Sequence, residues 1–273
     1  MAPTIRHLRF ASQPILELTL HDCHFTVAAL KPGEEPHIEF RGDPGDFEPS
    51  ERLSGLVIHA HDLKARLAVP AHVRLSVRMH DSKLFFEKLS GCDLNILSSD
   101  SVTELDQVHG RLVATVSEGV IGGKALSGTF DVKGTASQVN LAIDHLDAGD
   151  HLVRSLMGTA KIDLAEGLQA RLEMAATLGS ARSSFKSVAS AAAVMRVEAD
   201  VGSVRVSSSR RHVERHGDYP SWQRIWLRAT FATEETGPAH DAQSRLRKIL
   251  EMVKDGAVTP EEGKRLVNAV RHR

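Results

Sequence analysis

The chain has few aromatic residues and few cysteines, and it carries no excess of charge of either sign. Aromatic residues make up 4% of its 273 residues, too few for base-stacking platforms or an aromatic-rich interface. Lys and Arg total 34 against 35 Asp and Glu, so the basic excess typical of a nucleic-acid binder is missing. Cys23 and Cys92 could form at most one bond, which excludes a disulfide framework. We therefore predict no nucleic-acid partner.

Long apolar segments are also missing from the sequence. No run approaches the roughly 18 consecutive apolar residues that a membrane-spanning helix requires. The first residues lead into alternating polar and apolar positions rather than the continuous apolar region of a signal peptide. We therefore expect no integral membrane segment and a cytoplasmic location.

Apolar and polar residues alternate from about Leu8 to Phe231, which is typical of β-strands with one buried face. Short groups rich in Gly, Pro and Asp separate these segments, and long helical patterns are absent from this part of the sequence. A last strand is predicted at residues 226–231, with Trp222 just before it. Most of the chain is therefore predicted to be all-β.

A repeated unit occupies the middle of the chain. Each copy has an apolar residue, a small or polar residue, a glycine and then a short alternating strand. The glycines of the four copies are Gly91, Gly110, Gly128 and Gly158, separated by 19, 18 and 30 residues. The two near-equal steps predict stacked coils, and the longer step predicts an insertion or a degenerate coil at residues 138–151.

This repeat predicts a β-solenoid. A coil of short strands cannot bury its inward side chains alone, so successive coils must stack and share an apolar interior. Glycine suits the corners because it tolerates positive φ and has no Cβ to clash with the next coil. An antiparallel meander or sandwich with glycine-containing turns is the alternative. The predicted inward residues are Leu94, Ile96, Leu112, Ala114, Val116, Phe130, Val132, Leu141, Ile143, Ile162 and Leu164.

The periodicity changes from two to 3.6 after a linker at Gly237 and Pro238. The apolar residues from Leu246 to Val253 have helical spacing and predict a first helix, which Gly256 ends. Thr259 and Pro260, followed by two glutamates, form a capping box that begins a second helix. We predict a β domain at residues 1–236 and a linker with a C-terminal α-helical hairpin at 237–273. Because helices of this length are weakly stable alone, the hairpin must pack on the β domain, on a second copy or on a partner. The predicted partner-binding residues are Leu246, Ile249, Leu250, Val253, Leu266 and Val270.

The repeats beginning Leu89-Ser90-Gly91 and Leu126-Ser127-Gly128 resemble a family of bacterial putative adhesins of unknown function. In that family such units build a right-handed β-helix-like domain. The segment from Arg247 to Leu266 is similar to a short helical module, the SHOCT-like helical hairpin, that is often attached to such domains. The resemblance covers about residues 63–178 and 245–270, and it implies no catalytic residues for this chain.

Several polar clusters have the composition of metal or acid–base sites, since the chain has 15 histidines. His59, His61 and Asp62 would place two imidazoles and a carboxylate together, a set able to hold Zn²⁺. Solvent-facing positions on a strand are the simpler interpretation. His21 and His24 would point to opposite faces of a strand, which argues against a shared metal.

The densest group of acids and histidines lies at residues 144–151, within the long step of the repeat, where a loop could project. Carbohydrate-cleaving β-helices need paired carboxylates on adjacent coils, and these acids have no such partners. A second polar group consists of Arg210, Arg211 and Arg215. It could contact phosphate, but a turn exposed to solvent is the simpler interpretation. Phosphate-binding loops and nucleophile elbows are absent from the sequence.

We therefore predict no catalytic residues, no cofactor and no metal site, and we expect a protein that is not an enzyme. The function predicted is that of a binding or scaffold module that associates with itself or a protein partner through the C-terminal helices. The alternative is a transcription or stress-response regulator that uses the helical hairpin to contact DNA or a partner.

Overall fold

The computed structural model describes residues 4–10, 14–40, 47, 49–52 and 55–209 of the chain. The chain divides into two compact units, Met1–Arg211 and His212–Arg273, and the described residues belong to the first. The predicted strand at 226–231, the arginine group at 210–215, the boundary at residue 236 and the helical hairpin lie outside the described residues.

The described part of the chain is all-β. Among the described residues there is no helix that could span a membrane. Its strands form one 17-stranded sheet. The strands are β1 (Thr4–His7), β2 (Ile15–His21), β3 (His24–Ala29), β4 (His37–Phe40), β5 (Pro49–Arg52), β6 (Gly55–His61), β7 (Lys64–Val69), β8 (Arg74–His80), β9 (Lys83–Glu87), β10 (Ser90–Ser99), β11 (Val102–Asp106), β12 (His109–Ser117), β13 (Val120–Thr135), β14 (Ser137–Leu146), β15 (Gly149–Ala165), β16 (Arg171–Ser183) and β17 (Ala193–Ser209).

The strands form because alternate side chains enter one apolar core. In β8, for example, Leu75, Val77 and Met79 are buried while the residues between them face solvent or are half-buried. Every side chain that we predicted to point inward, from Leu94 to Leu164, is buried in this core. The period-two pattern therefore predicted the buried face correctly.

Strand pairing is parallel along two ladders, unlike the antiparallel meander or sandwich that was the alternative. The first ladder runs in the order β6, β2, β8, β10, β12, the second half of β13, and the first halves of β15, β17 and β16. The second ladder runs β7, β3, β9, β11, the first half of β13, β14, and the second halves of β15, β17 and β16.

The order of strands follows the sequence in the middle of each ladder but not at its ends. In the middle, the register partners Leu75, Leu94, Leu112 and Phe130 are 19, 18 and 18 residues apart. At one end β2 lies between β6 and β8, and at the other β17 lies between β15 and β16. β2 and β17, the first and last long strands of the chain, are therefore hydrogen-bonded on both sides. β6 and β16, which lie between them in the sequence, lie outside them in the ladder.

The two ends of the ladders differ in what covers them. At the β6–β7 end, β5 pairs antiparallel with β6, β4 with β7 and β1 with β4. Arg6 holds this cover together, because its Nη1 donates to the Phe47 carbonyl at 2.9 Å and its guanidinium lies 5.9 Å from the Phe40 ring centre. At the other end, β16 pairs with β17 and with no further strand among the described residues.

The repeated glycines stack in two columns rather than one. Gly110 and Gly128 are register partners in the first column, while Gly158 is opposite Gly202 in the second. Gly91 belongs to neither, because a bulge there offsets β10 from β12. The predicted insertion at 138–151 is wrong, because these residues form β14 and the start of β15. The 30-residue step contains three strand segments, the second half of β13, β14 and the first half of β15, whereas the 18-residue step before it contains two.

Replacement of a stacked glycine should destabilise the fold more than replacement of an unstacked one. Gly128 has a φ of 123°, and a Cβ there would overlap the Gly110 carbonyl oxygen. Gly149 has nearly the same φ, 122°, but a Cβ there would meet nothing within 4 Å. We expect Gly128→Ala to lower the free energy of unfolding by about 1–3 kcal/mol more than Gly149→Ala, measured by urea denaturation. Equal losses would contradict the close approach of the two strands.

Candidate functional site

The candidate site is the edge where the chain turns from the first ladder into the second. Six of these turns contain one residue in the left-handed conformation, with φ between 47° and 53°. We call this series of stacked residues the turn row. In ladder order, the turn row consists of Asp62, Asp22, Asp81, Asp100, Glu118 and Ala136.

Backbone hydrogen bonds hold neighbouring turns of the row together. The amide of Asp22 donates to the His80 carbonyl at 3.3 Å, and the amide of Asp81 donates to the Ser99 carbonyl at 3.3 Å. The same bond links each of the other turns to the next turn along the row. Consecutive members of the row are therefore about one strand spacing apart, roughly 4.8 Å.

The left-handed turns explain why aspartate is so frequent in the row. A residue with a Cβ in this conformation costs about 1–2 kcal/mol, and Asn and Asp lower that cost with local hydrogen bonds. Four of the six turn residues are aspartates, so the backbone geometry also arranges carboxylates in a line along the edge. Local conformational preference thus produces a charged row without any requirement for a ligand.

Hydroxyl groups brace the turns from inside. Ser82 Oγ donates to the His80 carbonyl at 2.8 Å, and Ser101 Oγ donates to the Ser99 carbonyl at 2.6 Å. Ser101 Oγ also accepts from the Ser82 amide at 3.0 Å, so the brace links two turns. Cys23 Sγ makes the equivalent bond to the His21 carbonyl at 3.0 Å. These bonds hold the turns in a defined geometry.

Histidines precede three of the aspartates and lie in register. His61, His21 and His80 are partners at the ends of β6, β2 and β8. The rings of His21 and His80 have their centres 5.9 Å apart, and His61 Nε2 lies 3.6 Å from a carboxylate oxygen of Asp22. The edge therefore carries imidazoles and carboxylates on adjacent strands.

One group within this edge has the spacing of metal ligands. His80, Asp81 and Asp100 each offer one donor atom, and these atoms lie within 4.8 Å of one another. His80 Nε2 is 3.1 Å from Asp81 Oδ2, while His80 Nδ1 lies 2.8 Å from Ser99 Oγ. All three ligand residues are exposed, so an ion could reach them from solvent.

The structure separates the members of the two histidine clusters considered from the sequence. His59 and His61 both face outward from β6, but His61 lies beside Asp22 of the neighbouring turn. His21 and His24 lie in different strands on either side of a turn, and His24 stacks on Phe85 with ring centres 5.3 Å apart. His59 and His61 thus occupy solvent-facing positions, as the simpler interpretation expected, whereas His21 and His24 do not share the strand on which they were predicted to point to opposite faces.

The acidic group at 144–151 is not a projecting loop, because only Asp147 and Ala148 lie between strands. His151 is buried, with 1% of its surface exposed, and both ring nitrogens are hydrogen-bonded. Its Nδ1 accepts from the Phe130 amide at 3.3 Å, and its Nε2 donates to the Asp147 carbonyl at 2.8 Å. His151 is therefore a satisfied core histidine.

Both cysteines are free and buried, as their positions in alternating sequence predicted. Burial raises the pKa of the Cys92 thiol to about 11, and burial also raises the pKa of Cys23. A raised pKa keeps a thiol protonated and poorly nucleophilic near neutral pH. The described part of the chain therefore gives neither cysteine the environment of a catalytic thiolate.

The sequence contains a signal for the turn row that the glycine repeat obscured. The dipeptide His-Asp occurs at residues 21–22, 61–62, 80–81 and 240–241, and the third of these precedes the Ser-Asp at 99–100 by 19 residues. This separation equals the one between Gly91 and Gly110, but the His-Asp and Ser-Asp pairs lie at a different position within the repeat than the glycines do. His80, Asp81 and Asp100 could therefore have been grouped by spacing alone.

Comparison with known proteins gives little further guidance. No known family profile matches the chain, and no curated protein matches it. A solved structure described as a putative cell adhesion protein from Clostridium sporogenes ATCC 15579 aligns with 8% identity and a TM-score of 0.31. The alignment covers 76% of this chain and 100% of that protein. At this level of similarity the match carries no argument about fold or activity.

The left-handed turn at Asp81 should tolerate asparagine but not valine. Asparagine adopts positive φ readily, whereas a β-branched residue is strained there. We expect Asp81→Asn to change the free energy of unfolding by less than about 0.5 kcal/mol and Asp81→Val to lower it by about 1–2 kcal/mol in urea denaturation. Arg78→Val is the control, since Arg78 is an outward residue of β8, the strand that precedes Asp81, and has no positive φ. A loss as large for Arg78→Val would refute this explanation.

Proposed function

We propose that the two parallel ladders are the faces of a right-handed β-solenoid, the architecture implied by the family resemblance. Steps of 18 and 19 residues between register partners support it, because one step contains one strand of each ladder and two turns. The stacked turns of the turn row support the same proposal. The exchange of strand order at both ends makes the terminal coils irregular, as terminal repeats commonly are.

We further propose that this solenoid is a non-enzymatic binding or scaffold module that acts in the cytoplasm. The observation that carries the proposal is the parallel pairing along both ladders, which makes a long, rigid surface of regularly spaced side chains. Solenoid proteins use such extended surfaces to bind partners.

The outer surface is patterned by ion pairs that cross between strands. Asp93 lies 3.6 Å from Arg74 and 3.2 Å from Arg111, on the strands either side of it. Arg196 lies 2.9 Å from Glu173 and 3.3 Å from Asp150 in the same way. Exposed pairs of this kind add little stability, so their effect is mainly to set the charge pattern that a partner would meet.

The surface depressions also fit binding better than catalysis. One depression of about 420 Å³ is lined by Lys161, Asp163, Arg182 and Arg205 together with serines. Asp163 is already engaged, since it pairs with Lys161 at 3.4 Å and accepts a hydrogen bond from Ser207. The one carboxylate of the depression is thus engaged by Lys161 and Ser207, which favours contact with a partner over general acid–base chemistry.

We propose that the module associates with itself through the apolar residues of the C-terminal segment, Leu246, Ile249, Leu250, Val253, Leu266 and Val270. Their helical spacing supports this role, although they lie outside the described residues. Apolar stripes on short helices need a covering surface, and a second copy supplies an identical stripe.

Light scattering on the full chain tests this proposal. We expect an oligomer for the wild-type protein and a monomer for the double variant Leu250→Glu/Val253→Glu, because two buried charges would oppose packing of the stripe. Lys248→Glu is the matched control, since it changes charge in the same segment away from the apolar positions. It should leave the oligomer intact.

Two outcomes would contradict self-association. A wild-type protein that is monomeric at every concentration would exclude it, and dissociation of the Lys248→Glu control to the same extent would remove its assignment to the apolar stripe. The circular dichroism spectrum and melting temperature of each variant show whether the β domain stays folded.

A further inference from the structure

We propose that His80, Asp81 and Asp100 form a surface site for a divalent transition-metal ion of the Zn²⁺ type, with water completing its coordination. The proposal is independent of the binding or scaffold function, because it concerns the turn row alone. It rests on the donor set, on how the histidine is oriented and on how the turns are held.

The donor set is mixed rather than purely acidic. One imidazole nitrogen and two carboxylates lie within 4.8 Å of one another, so modest rotation of exposed side chains would bring all three donors to one ion. Imidazole with carboxylates suits Zn²⁺ and related ions, whereas Ca²⁺ and Mg²⁺ prefer oxygen donors alone. The nitrogen of His80 therefore favours a late first-row transition metal.

The His80 ring is already oriented for coordination. Its Nδ1 lies 2.8 Å from Ser99 Oγ, which can accept a hydrogen bond from Nδ1–H. In that tautomer Nε2 carries the lone pair that would coordinate a metal. Nε2 is the atom that faces Asp81, at 3.1 Å. Metal-binding histidines commonly have such a partner on the second nitrogen, and it sets both the tautomer and the ring direction.

The backbone that carries the ligands is held independently of any ion. The Asp81 amide bonds to the Ser99 carbonyl, and the hydroxyls of Ser82 and Ser101 brace the same two turns from inside. Asp81 and Asp100 have φ values of 47° and 48°, so both carboxylates leave equivalent turns on adjacent strands. A site held in this way loses little conformational entropy when the ion binds.

The row also explains why the site lies at this point. Further along, the corresponding residues are Ser117 and Glu118, which offer no imidazole. On the other side, the ring centres of His21 and His80 are 5.9 Å apart, so His21 offers an additional imidazole beside the site. The site therefore lies between the last turn that has a histidine, at His80 and Asp81, and the next turn, which offers the Asp100 carboxylate but no histidine.

Equilibrium dialysis of the full chain against micromolar Zn²⁺, after removal of metal with a chelator, tests the proposal. We expect the wild-type protein to bind one more Zn²⁺ than each of His80→Asn, Asp81→Asn and Asp100→Asn, with affinity at this site at least about tenfold lower in each variant. Asparagine tolerates the left-handed turns, so the two carboxylate variants should fold. Unchanged melting temperatures in chelator would verify folding of all three variants.

His145→Asn is the matched control. His145 is an exposed histidine 3.7 Å from Asp147, so it provides the same pair of groups without the third ligand. This variant should bind as much Zn²⁺ as the wild-type protein. Ser99→Ala should weaken binding by about tenfold while retaining all three ligands, because it removes only the partner of Nδ1.

The proposal would be overturned by equal Zn²⁺ binding in the wild-type protein and the three ligand variants, or by the absence of binding in all of them. Loss in the two carboxylate variants but not in His80→Asn would exclude a histidine-centred site. Displacement of Zn²⁺ by an equal concentration of Ca²⁺ would refute the class of metal. A Zn²⁺-dependent shift of the His80 side-chain ¹⁵N resonance, missing in His80→Asn, would support direct coordination.

Discussion

The parallel backbone register is the constraint on which the rest of this structure depends. Because each strand of a ladder lies about 4.8 Å from the next, equivalent positions stack directly on one another. Stacking places apolar side chains in a continuous core and brings the Gly110 and Gly128 backbones close together. It also aligns the turns, so that a residue favoured for its local conformation becomes part of a row. The core, the glycine columns and the turn row are thus consequences of one pairing pattern.

The interior of the fold could be predicted from the sequence because burial follows a simple period of two. Each predicted inward side chain is buried, and the absence of helix from the described residues agrees with the missing helical pattern. The strand order at the ends could not be predicted, since β2 has the same alternation whether it lies beside β6 alone or between β6 and β8. Alternation specifies which face is buried but says little about which strand is the neighbour.

The candidate site was missed for a related reason. His80 and Asp81 precede Asp100 by about one repeat, yet each looks like an ordinary solvent-facing residue when its own strand is considered. Only the register brings them together, and the register was inferred from glycines that stack in two separate columns. The acidic group at 144–151 shows the opposite error, because residues close together in the sequence were considered as one site. The structure divides them between two strands and buries His151 in the core. Proximity along the chain is therefore a poor guide to sites in a stacked structure.

The most direct test of the account is disulfide cross-linking at the end where the strand order departs from the sequence. In a background lacking Cys23 and Cys92, cysteines at Thr19 and Arg78, which are register partners, should form a disulfide under mild oxidation. Cysteines at His59 and Arg78 should not, because β2 separates their strands by about 10 Å, twice the strand spacing. Cross-linking of His59 with Arg78 but not of Thr19 with Arg78 would contradict the strand order and the alignment of the turn row that depends on it.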